Sequence, residues 1–320
     1  MKKEVSVIIP NYNGRDYLVE CLKSLKKQRF TDFELILVDN ASADDSVKVT
    51  KELFPEAKIR QLSENFGFCR AVNEGIRLSK APFVLLLNND TVVDEDFVGS
   101  LYQTIKERKN CFSCASQMRK MCSPELMDDG GNYYCALGWA FALGKDRPFE
   151  RYQTARPVFA ACAGAAIYRR EIFREIGLFD ETHFAYLEDM DVGYRARIYG
   201  YENWYEPRAI VYHVGSGTTG SRYNEFKVRY SARNNLYMLY KNMPVLQLLL
   251  NLPLLLAGFL IKYLFFARKG MGREYRTGLK EALKLFKRQK KVSFQVKNLK
   301  NYLVIQGELW INIVRRLRNL

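Results

Sequence analysis

Four short apolar segments alternate with helix-patterned segments in the first hundred residues, and this alternation most constrains the fold. The apolar segments are VSVIIP, ELILVDN, KIRQL and FVLLL. Between the first two, Leu18, Leu22 and Leu25 recur at the spacing of one helical face. Strands that alternate with helices predict a parallel sheet covered by helices on both faces, which is an α/β fold.

Polar residues stand where three of these strands end. PNYN closes the first strand, VDNAS follows the second, and NNDT follows the fourth. A single NND is also typical of a turn, but the carboxyl ends of parallel strands share one sheet edge, where α/β folds bind ligands. No G-x-G-x-x-G follows the first strand and no G-x-x-x-x-G-K-S/T occurs, which disfavours dinucleotide-binding and P-loop proteins.

Two further polar clusters lie later in the chain. Glu188, Asp189 and Asp191 begin a helix-patterned segment that Gly200 closes. Acids there also complement a helix dipole, but three together after the apolar HFAYL suit a general base held at a pocket edge. His213 ends the strand-like AIVYH and is either a packed residue or a ligand. The Gly/Ser/Thr-rich loop after it suits phosphate binding through backbone N–H groups.

The cysteines and the N-terminus indicate the compartment. Seven cysteines accompany only two histidines, and Cys111 and Cys114 lie in CFSCAS, which has the pattern of a strand. Residues three apart on a strand face opposite ways, so we expect reduced cytosolic thiols and no zinc site. MKKEVSVIIPNYNG lacks the apolar core of a cleavable signal. In residues 110–160, DDGGNYY and LGKDRPFERY are predicted to be loops that could cover a site.

Charge divides the chain into two regions. From Lys241 onward there are 17 Lys and Arg against 3 Glu, whereas residues 1–240 hold 33 basic and 32 acidic residues. We therefore predict a folded domain over residues 1–240 and a basic helical region over residues 241–320. Such an excess of positive charge indicates an anionic partner, either a membrane or a nucleic acid.

The apolar stretch at residues 244–266 bears on that choice. Its 17 uncharged residues from Val245 to Ile261 make a helix of about 26 Å, which is marginal for a span of about 30 Å. A polar stripe along one face favours a helix lying in the membrane interface over a spanning one, with an ordinary buried helix as the alternative. That stripe contains Gln247, Asn251, Gly258 and Lys262. The basic amphipathic REYRTGLKEALKLFKRQKK that follows suits anionic lipid, and no nucleic-acid-binding motif is present.

Seven segments, taken together and in order, carry a resemblance to a known family. The segments are VSVIIPNYNG, LILVDNAS, ENFGFCRAVNEGI, LLLNNDT, AGAAIYRREIFREIGLFDE, FAYLEDMDVGYRAR and YHVGSG. Over about residues 4–240 the chain resembles the inverting glycosyltransferases of family 2, most of all bacterial rhamnosyltransferases of cell-surface polysaccharide synthesis. The resemblance implies a GT-A fold, the Rossmann-like fold of nucleotide-diphospho-sugar transferases, followed by a helical membrane-associating region.

The resemblance also implies roles for individual residues. Asp189 matches the catalytic base, with Glu188 beside it, and both Glu188 and Asp191 remain alternatives for that role. Asp90 and His213 match positions that hold a divalent metal, Mg²⁺ or Mn²⁺. Asn88 stands where the family motif D-x-D has its first acid, so we expect the cation to bind mainly together with the donor diphosphate. The matched nucleotide-sugar-binding residues are Pro10, Asn11, Tyr12, Asp39, Asn65, Gly67, Arg70, Asn73, Asn88 and Asn89.

The implied activity is transfer of a sugar, most closely rhamnose from dTDP-rhamnose, onto a polyprenyl-diphosphate-linked or polysaccharide acceptor. The implied place is the cytoplasmic face of the cell membrane, in peripheral or interfacial contact with anionic lipid and without nucleic acid. A UDP-hexose or UDP-galactofuranose donor and a non-catalytic sugar-binding or scaffold protein are the alternatives. All of this requires that Asp90, Asp189 and His213 gather around one pocket.

Overall fold

The computed structural model describes residues 3–215, 223–286 and 291–318. The strands in these ranges are β1 (Val5–Asn11), β2 (Phe33–Asp39), β3 (Lys58–Gln61), β4 (Phe83–Leu87), β5 (Thr91–Val93), β6 (Cys111–Lys120), β7 (Ser123–Asp129), β8 (Asn132–Cys135), β9 (Trp139–Ala142), β10 (Arg156–Val158), β11 (Ala165–Arg169) and β12 (Glu202–His213). The helices are α1 (Arg15–Lys26), α2 (Ser46–Leu53), α3 (Phe68–Leu78), α4 (Phe97–Glu107), α5 (Phe173–Ile176), α6 (Glu188–Ile198), α7 (Glu225–Asn242), α8 (Val245–Arg268), α9 (Gly272–Phe286) and α10 (Leu299–Leu317).

The α/β architecture is confirmed, but the sheet is mixed and not wholly parallel. In the described part of the chain, ten strands form one sheet in the order β10-β12-β6-β11-β4-β1-β2-β3, with β5 on β12 and β7 on β6. β1 to β4 are parallel neighbours, whereas β11 runs antiparallel to both β4 and β6. Two parallel strands must be joined by a crossover connection, which is usually a helix. Residues 110–160 form mainly strands, and the sheet becomes mixed in this half of the fold.

The prediction of loops within residues 110–160 is therefore wrong in part. β8 (Asn132–Cys135) begins within DDGGNYY and pairs with β9 in a separate two-stranded hairpin. The segment LGKDRPFERY ends in a short 3₁₀ helix over Phe149–Tyr152. The seven thiols are free, and Cys111 and Cys114 are buried in β6.

The two faces of the sheet bury separate cores, because successive side chains of a strand point in opposite directions. Val7 and Ile9 of β1 pack with α1 and α4, including the predicted apolar face of α1. Ile8 faces the other way and packs with α3, α5 and α6. The two cores fix the positions of the strand ends and of the first turn of α6.

The C-terminal helices share a core with the rest of the chain. Met190 and Tyr194 of α6 and Tyr134 of β8 cluster with Leu255 of α8 and Leu309 of α10, while α9 packs on α7. The predicted division between residues 1–240 and 241–320 falls inside α7 and stays a prediction.

Candidate active site

The ends of β1, β2 and β4 meet through a chain of side-chain hydrogen bonds. Asn89 Nδ2 donates to Asn11 Oδ1 at 2.7 Å, and Asn11 Nδ2 donates to Asp39 Oδ1 at 3.1 Å. The parallel register sets Asn11 beside Asp39, although 28 residues separate them in sequence. All three side chains are buried. Three predicted nucleotide-sugar-binding residues thus form one polar network at the carboxyl edge of the sheet.

The segment after β3 is held against this edge by Asn40. Asn40 Nδ2 donates to Asn65 Oδ1 at 2.9 Å and to the Gly67 carbonyl oxygen at 3.1 Å. Gly67 has a φ of +85°, and a Cβ atom there would lie 2.5 Å from the ring of Phe184. Only glycine satisfies both that backbone conformation and that close approach. Asn65 and Gly67 therefore lie next to the network, as the resemblance implies.

Pro10, Tyr12 and Asn88 stand at the same edge. Pro10 lies in β1, and Tyr12, just beyond β1, is 40% exposed. The backbone N–H of Asn88 donates to the carbonyl oxygen of Gly164 at 2.8 Å, which ties the end of β4 to the start of β11. Most of the predicted phosphate-binding loop falls in residues 216–222, outside the described residues.

Arg70 and Asn73 of α3 use their side chains differently from the other predicted binding residues. Arg70 Nη1 lies 3.0 Å from Glu181 Oε2. Asn73 Nδ2 donates to Glu181 Oε1 at 2.9 Å and to the Phe179 carbonyl oxygen at 2.8 Å. These donors hold the 179–181 segment, which leads toward the predicted catalytic acids, so the two residues support the site from outside the strand-end network.

Asp90 and His213 meet because β5 pairs with β12. The register places His213 opposite Thr91, and the Val214 N–H donates to the Asp90 carbonyl oxygen at 3.1 Å. His213 Nε2 then lies 3.3 Å from Asp90 Oδ1, and His213 Nδ1 lies 2.7 Å from Asp128 Oδ2. Asp128 belongs to β7, in a segment that the sequence placed in a loop without a chemical role.

This trio fits a divalent cation. With its Nδ1–H bound to Asp128, His213 turns Nε2 toward Asp90, which is the arrangement of a carboxylate-oriented histidine ligand. Two ligand atoms at about 2.1 Å from an ion and at right angles lie about 3 Å apart, close to the observed 3.3 Å. Burial lowers the pKa of His213, but its bonds to Asp128 and Asp90 outweigh burial and raise the pKa to about 9. Cation binding therefore displaces a proton from the ring.

Replacing Asp128 by alanine is expected to weaken Mn²⁺ binding about 10- to 100-fold, because the ring of His213 loses the partner that fixes its orientation. Calorimetric titration of Mn²⁺ in the presence of a nucleoside diphosphate measures the change. Lys145→Gln is the matched control, since Lys145 binds Asp128 on the side away from His213. Equal Mn²⁺ affinity in Asp128→Ala and wild type would remove His213 from the cation site.

The two predicted catalytic acids begin α6. Asp189 is half-buried, and its Oδ1 and Oδ2 accept the N–H groups of Met190 at 2.7 Å and Ala163 at 3.4 Å. Burial raises the pKa of both acids, and the charge of Asp189 adds to the rise in the pKa of Glu188, to about 8. Glu188 is buried, and its Oε2 has no hydrogen-bond partner among the described residues. Glu188 therefore favours its protonated form, and Asp189, whose two oxygens each accept a backbone N–H group, is the better candidate for the carboxylate.

Asp191, the third acid, is enclosed by partners and 0% exposed. Its Oδ2 lies 2.9 Å from both Lys241 Nζ and Arg195 Nη2, and its Oδ1 accepts from Asn242 at 2.8 Å. Burial alone would raise the pKa of Asp191, but the charges of Lys241 and Arg195 hold it well below its ordinary value. An acceptor hydroxyl has no access to this carboxylate, so these contacts exclude Asp191 as the base.

Asp180, His183 and Asp191 form a second cluster with possible metal ligands, whose atoms lie within 4.8 Å of one another. Lys241 Nζ already lies 2.7 Å from Asp180 Oδ2 and 2.9 Å from Asp191 Oδ2. This ammonium group supplies the positive charge that an ion would provide. Burial lowers the pKa of His183 to about 4, so its ring is neutral at neutral pH. The cluster is therefore an internal charge network that anchors α6 to α7.

The backbone before Glu188 adopts an uncommon conformation. Phe184, Tyr186 and Leu187 have φ values of +62°, +72° and +64°, which cost about 1–3 kcal/mol each for residues with a Cβ. Asn234 of α7 is fully buried and donates through Nδ2 to three carbonyl oxygens of this segment at 3.0, 2.8 and 2.8 Å. Asn234 thus holds the turn that aims Asp189. The sequence carried no signal for it, because nothing distinguishes this asparagine from others on a helix.

Replacing Asn234 by leucine is expected to lower kcat about 100-fold with little change in the donor KM, because a shift of about 1 Å in a catalytic group costs that much. Steady-state kinetics and thermal unfolding together measure the effect. Asn235→Leu is the matched control, since Asn235 is also buried on α7 but donates to Gly138 beside the β8–β9 hairpin. If both variants lose activity only in proportion to folded protein, Asn234 has no positioning role.

One stretch of backbone joins the two halves of the site. The Ala163 N–H donates to Asp189, and the Gly164 carbonyl oxygen accepts from Asn88, two residues before Asp90. The predicted catalytic acid, the end of β4 and the Asp90–His213 pair are thus connected through residues 163–164 and 88–90 of the backbone. The three distant residues that the sequence grouped lie in one region of the molecule.

Comparison with known proteins decides the family. Residues 6–177 match the model of Glycosyl transferase family 2, which is more than half of the chain. The chain belongs to glycosyl transferase family 2. This confirms the predicted family.

Two known glycosyltransferases are similar to parts of this chain. Glycosyltransferase GlyG of Streptococcus pneumoniae is 32% identical over 111 residues, 34% of this chain and 37% of the relative. The N-acetylglucosaminyl-diphospho-decaprenol L-rhamnosyltransferase of Mycobacterium tuberculosis is 24% identical over 247 residues, 69% of this chain and 79% of the relative. This chain therefore spans little more than a third of the first relative.

A solved structure supports the fold. The crystal structure of GalNAc-T7 with UDP, GalNAc and Mn²⁺ aligns with a TM-score of 0.61 at 17% identity, over 75% of this chain and 48% of that one. At this identity the likeness establishes the GT-A fold alone.

Proposed function

We propose that this family 2 glycosyltransferase inverts the anomeric centre and transfers rhamnose from dTDP-rhamnose to a lipid-linked or polysaccharide acceptor. The observation that carries the proposal is the backbone connection at Ala163–Gly164, with Asp189 bonded to one residue and Asn88 to the other. A base on one side and a diphosphate-binding edge on the other is the arrangement that displacement at a sugar carbon requires.

Asp189 acts as the general base in this proposal. Its carboxylate takes the proton of the acceptor hydroxyl as that oxygen attacks the anomeric carbon, and the nucleoside diphosphate leaves from the opposite face. Attack opposite the leaving group inverts the configuration. Burial raises the pKa of Asp189, which makes it a stronger base than an exposed aspartate. The neutral Glu188 beside it keeps a second negative charge out of the site.

Asp90 and His213 are the proposed cation ligands, with Asp128 orienting the imidazole. A divalent cation, Mg²⁺ or Mn²⁺, would neutralise the charge that develops on the departing diphosphate. Asn88 contributes no charge, so a single carboxylate from the strand end faces the ion. This supports a cation that enters together with the nucleotide sugar.

The donor and acceptor are proposed from a relative. The mycobacterial L-rhamnosyltransferase named above acts, by its name, on a diphospho-decaprenol substrate, which favours rhamnose and a polyprenyl-diphosphate acceptor here. An acceptor embedded in lipid supports a location at the cytoplasmic membrane face. The basic residues after Lys241 would contact anionic lipid there, and nucleic acid is not a proposed partner.

A panel of nucleotide sugars tests the proposal. The full chain is incubated with dTDP-rhamnose, a UDP-hexose or UDP-galactofuranose, with Mn²⁺ and with or without a membrane lipid extract, and nucleotide release is followed. We expect release from dTDP-rhamnose that depends on the lipid extract. Release from a UDP-sugar alone would assign the other donor class. Sugar binding without release from any donor would indicate a non-catalytic binding protein.

A further inference from the structure

The polar stripe predicted on α8 faces the protein and not water. Gln247 and Asn251 are buried and contact Gln306 of α10. Gln247 Nε2 and Asn251 Nδ2 donate to Gln306 Oε1 at 3.1 and 2.8 Å, and Gln306 Nε2 donates to Asn251 Oδ1 at 2.9 Å. These amide contacts join α8 to α10 side by side.

The second half of α8 is held by the β8–β9 hairpin. Trp139 Nε1 donates to the Gly258 carbonyl oxygen at 3.0 Å. A Cβ atom on Gly258 would lie 1.9 Å from the Leu137 carbonyl oxygen, so only glycine permits this approach. α8 is thus attached to the folded protein along its polar face from Gln247, near its start, to Gly258, near its middle.

The opposite face of α8 is largely exposed in the part of the protein that the structure describes. Only 17% of its most apolar 18-residue window is buried, although its length and composition would suffice for a membrane span. An ordinary buried helix would be mostly covered, so this alternative is disfavoured. The exposed large apolar residues of α8 are Val245, Leu246, Leu249, Leu250, Leu252, Leu256, Leu260, Ile261, Leu264 and Phe265.

α10 carries a matching apolar stripe at helical spacing. Trp310 is 46% exposed, and its Nε1 donates to Asn251 Oδ1 of α8 at 3.2 Å, so the stripe runs alongside α8. The exposed large apolar residues of α10 are Leu299, Leu303, Val304, Trp310, Ile311, Val314 and Leu317. The sequence singled out α8 but gave no reason to add α10.

Positive charge surrounds these two faces. Of the three glutamates after residue 240, Glu281 and Glu308 already bind Arg229 of α7 and Arg197 of α6. These two glutamates therefore neutralise arginines that precede residue 241. The excess of positive charge within residues 241–320 remains. Basic residues at the ends of α8 and α10 include Arg268, Lys300, Arg316 and Arg318, all exposed.

We infer that α8 and α10 together form one lipid-docking surface that lies in the plane of an anionic bilayer. A spanning α8 would withdraw Gln247 and Asn251 from Gln306 and place their amides in hydrocarbon, where unsatisfied polar groups cost several kcal/mol each. The charge excess favours anionic lipid over a second copy of the chain, which would bring the same charge. This lipid-docking surface rests on the proposed function, which places the protein at a membrane, and adds which helices contact the lipid.

Vesicle co-sedimentation of the full chain tests the surface. Vesicles of phosphatidylcholine with and without phosphatidylglycerol are compared, and binding is expected to require phosphatidylglycerol and to weaken with salt. The double variant L256S/L303S removes one exposed leucine from each helix and is expected to bind at least about tenfold more weakly. L78S, at the end of α3, is the matched control with an exposed leucine elsewhere.

Unchanged vesicle binding by L256S/L303S would overturn the surface. A second result would also overturn it: wild type has the mass of a dimer in lipid-free buffer, and L256S/L303S, but not L78S, has the mass of a monomer. The surface would then be an interface between two copies of the chain. Trp310 fluorescence tests the orientation, with W310F to assign the signal. Quenching is expected to be stronger with lipids brominated near the headgroup than at the chain end, and the reverse order would exclude a helix lying in the plane.

Donor turnover separates this inference from the proposed function. If vesicle binding depends on Leu256 and Leu303 but no nucleotide sugar is consumed, the surface stands and the proposed function fails. If nucleotide is released from a donor but L256S/L303S binds vesicles as wild type does, only the lipid-docking surface is contradicted.

Discussion

Replacing Asp189 by asparagine is expected to lower turnover about 10²- to 10⁴-fold, the usual contribution of a general base. Asparagine keeps the size of the side chain, and its single amide oxygen can keep one of the two contacts with the N–H groups of Met190 and Ala163, but it cannot take a proton. Donor binding should persist, because the predicted nucleotide-binding edge, formed by Asn11, Asp39 and Asn89, is untouched. Nucleotide release and equilibrium binding of the donor measure the two effects separately.

Glu188→Gln is the control for this substitution. Glu188 holds a proton at neutral pH because burial and the charge of Asp189 raise its pKa to about 8, so glutamine reproduces its charge. We expect Glu188→Gln to keep most of the activity, and wild-type turnover to fall as pH falls through the raised pKa of Asp189. If Glu188→Gln is inactive and Asp189→Asn is active, the assignment of the base is reversed.

Replacing Lys241 by methionine is expected to destabilise the fold by about 3–5 kcal/mol, the usual effect of removing one partner of a buried ion pair. Lys241 Nζ binds both Asp180 and Asp191, and Asp191 is fully buried. Burial would raise the pKa values of both acids, but the charge of this ammonium group, together with that of Arg195 at Asp191, holds them low. Thermal unfolding should show a drop in Tm on the order of 10 °C.

Lys23→Met is the matched control, because the Lys23–Glu20 pair is exposed on both sides and such pairs contribute about 0–1 kcal/mol. Lys241→Met also tests the Asp180–His183–Asp191 cluster for metal binding. If Lys241→Met has the same Tm as wild type, the charge network is contradicted. If adding Mn²⁺ raises the Tm of Lys241→Met back to the wild-type value, the cluster accepts an ion once the ammonium group is gone.

Local sequence was sufficient for β1 to β4 and for the helices between them, although it did not predict the short β5. Apolar segments of four to seven residues and leucines at helical spacing report burial directly, since both periods follow from backbone geometry. The polar residues after β1, β2 and β4 predicted where ligands bind, because parallel strands end at one edge. The mixed half of the sheet was not predictable in this way, since strand direction there depends on pairings between distant segments.

The order of residues in the chain was enough to predict the chemical groups of the candidate site, namely the acids at Asp90 and Asp189 and the imidazole of His213, and to locate the apolar and basic C-terminal region. The surroundings of these groups follow from the tertiary structure. Asp128 meets His213 only through the pairings of β6 with β7 and β12, and Asn234 meets the segment before Glu188 only through the packing of α7. The burial that raises one carboxyl pKa, or the ammonium that lowers another, comes from residues far apart in the chain, and no local pattern records such contacts.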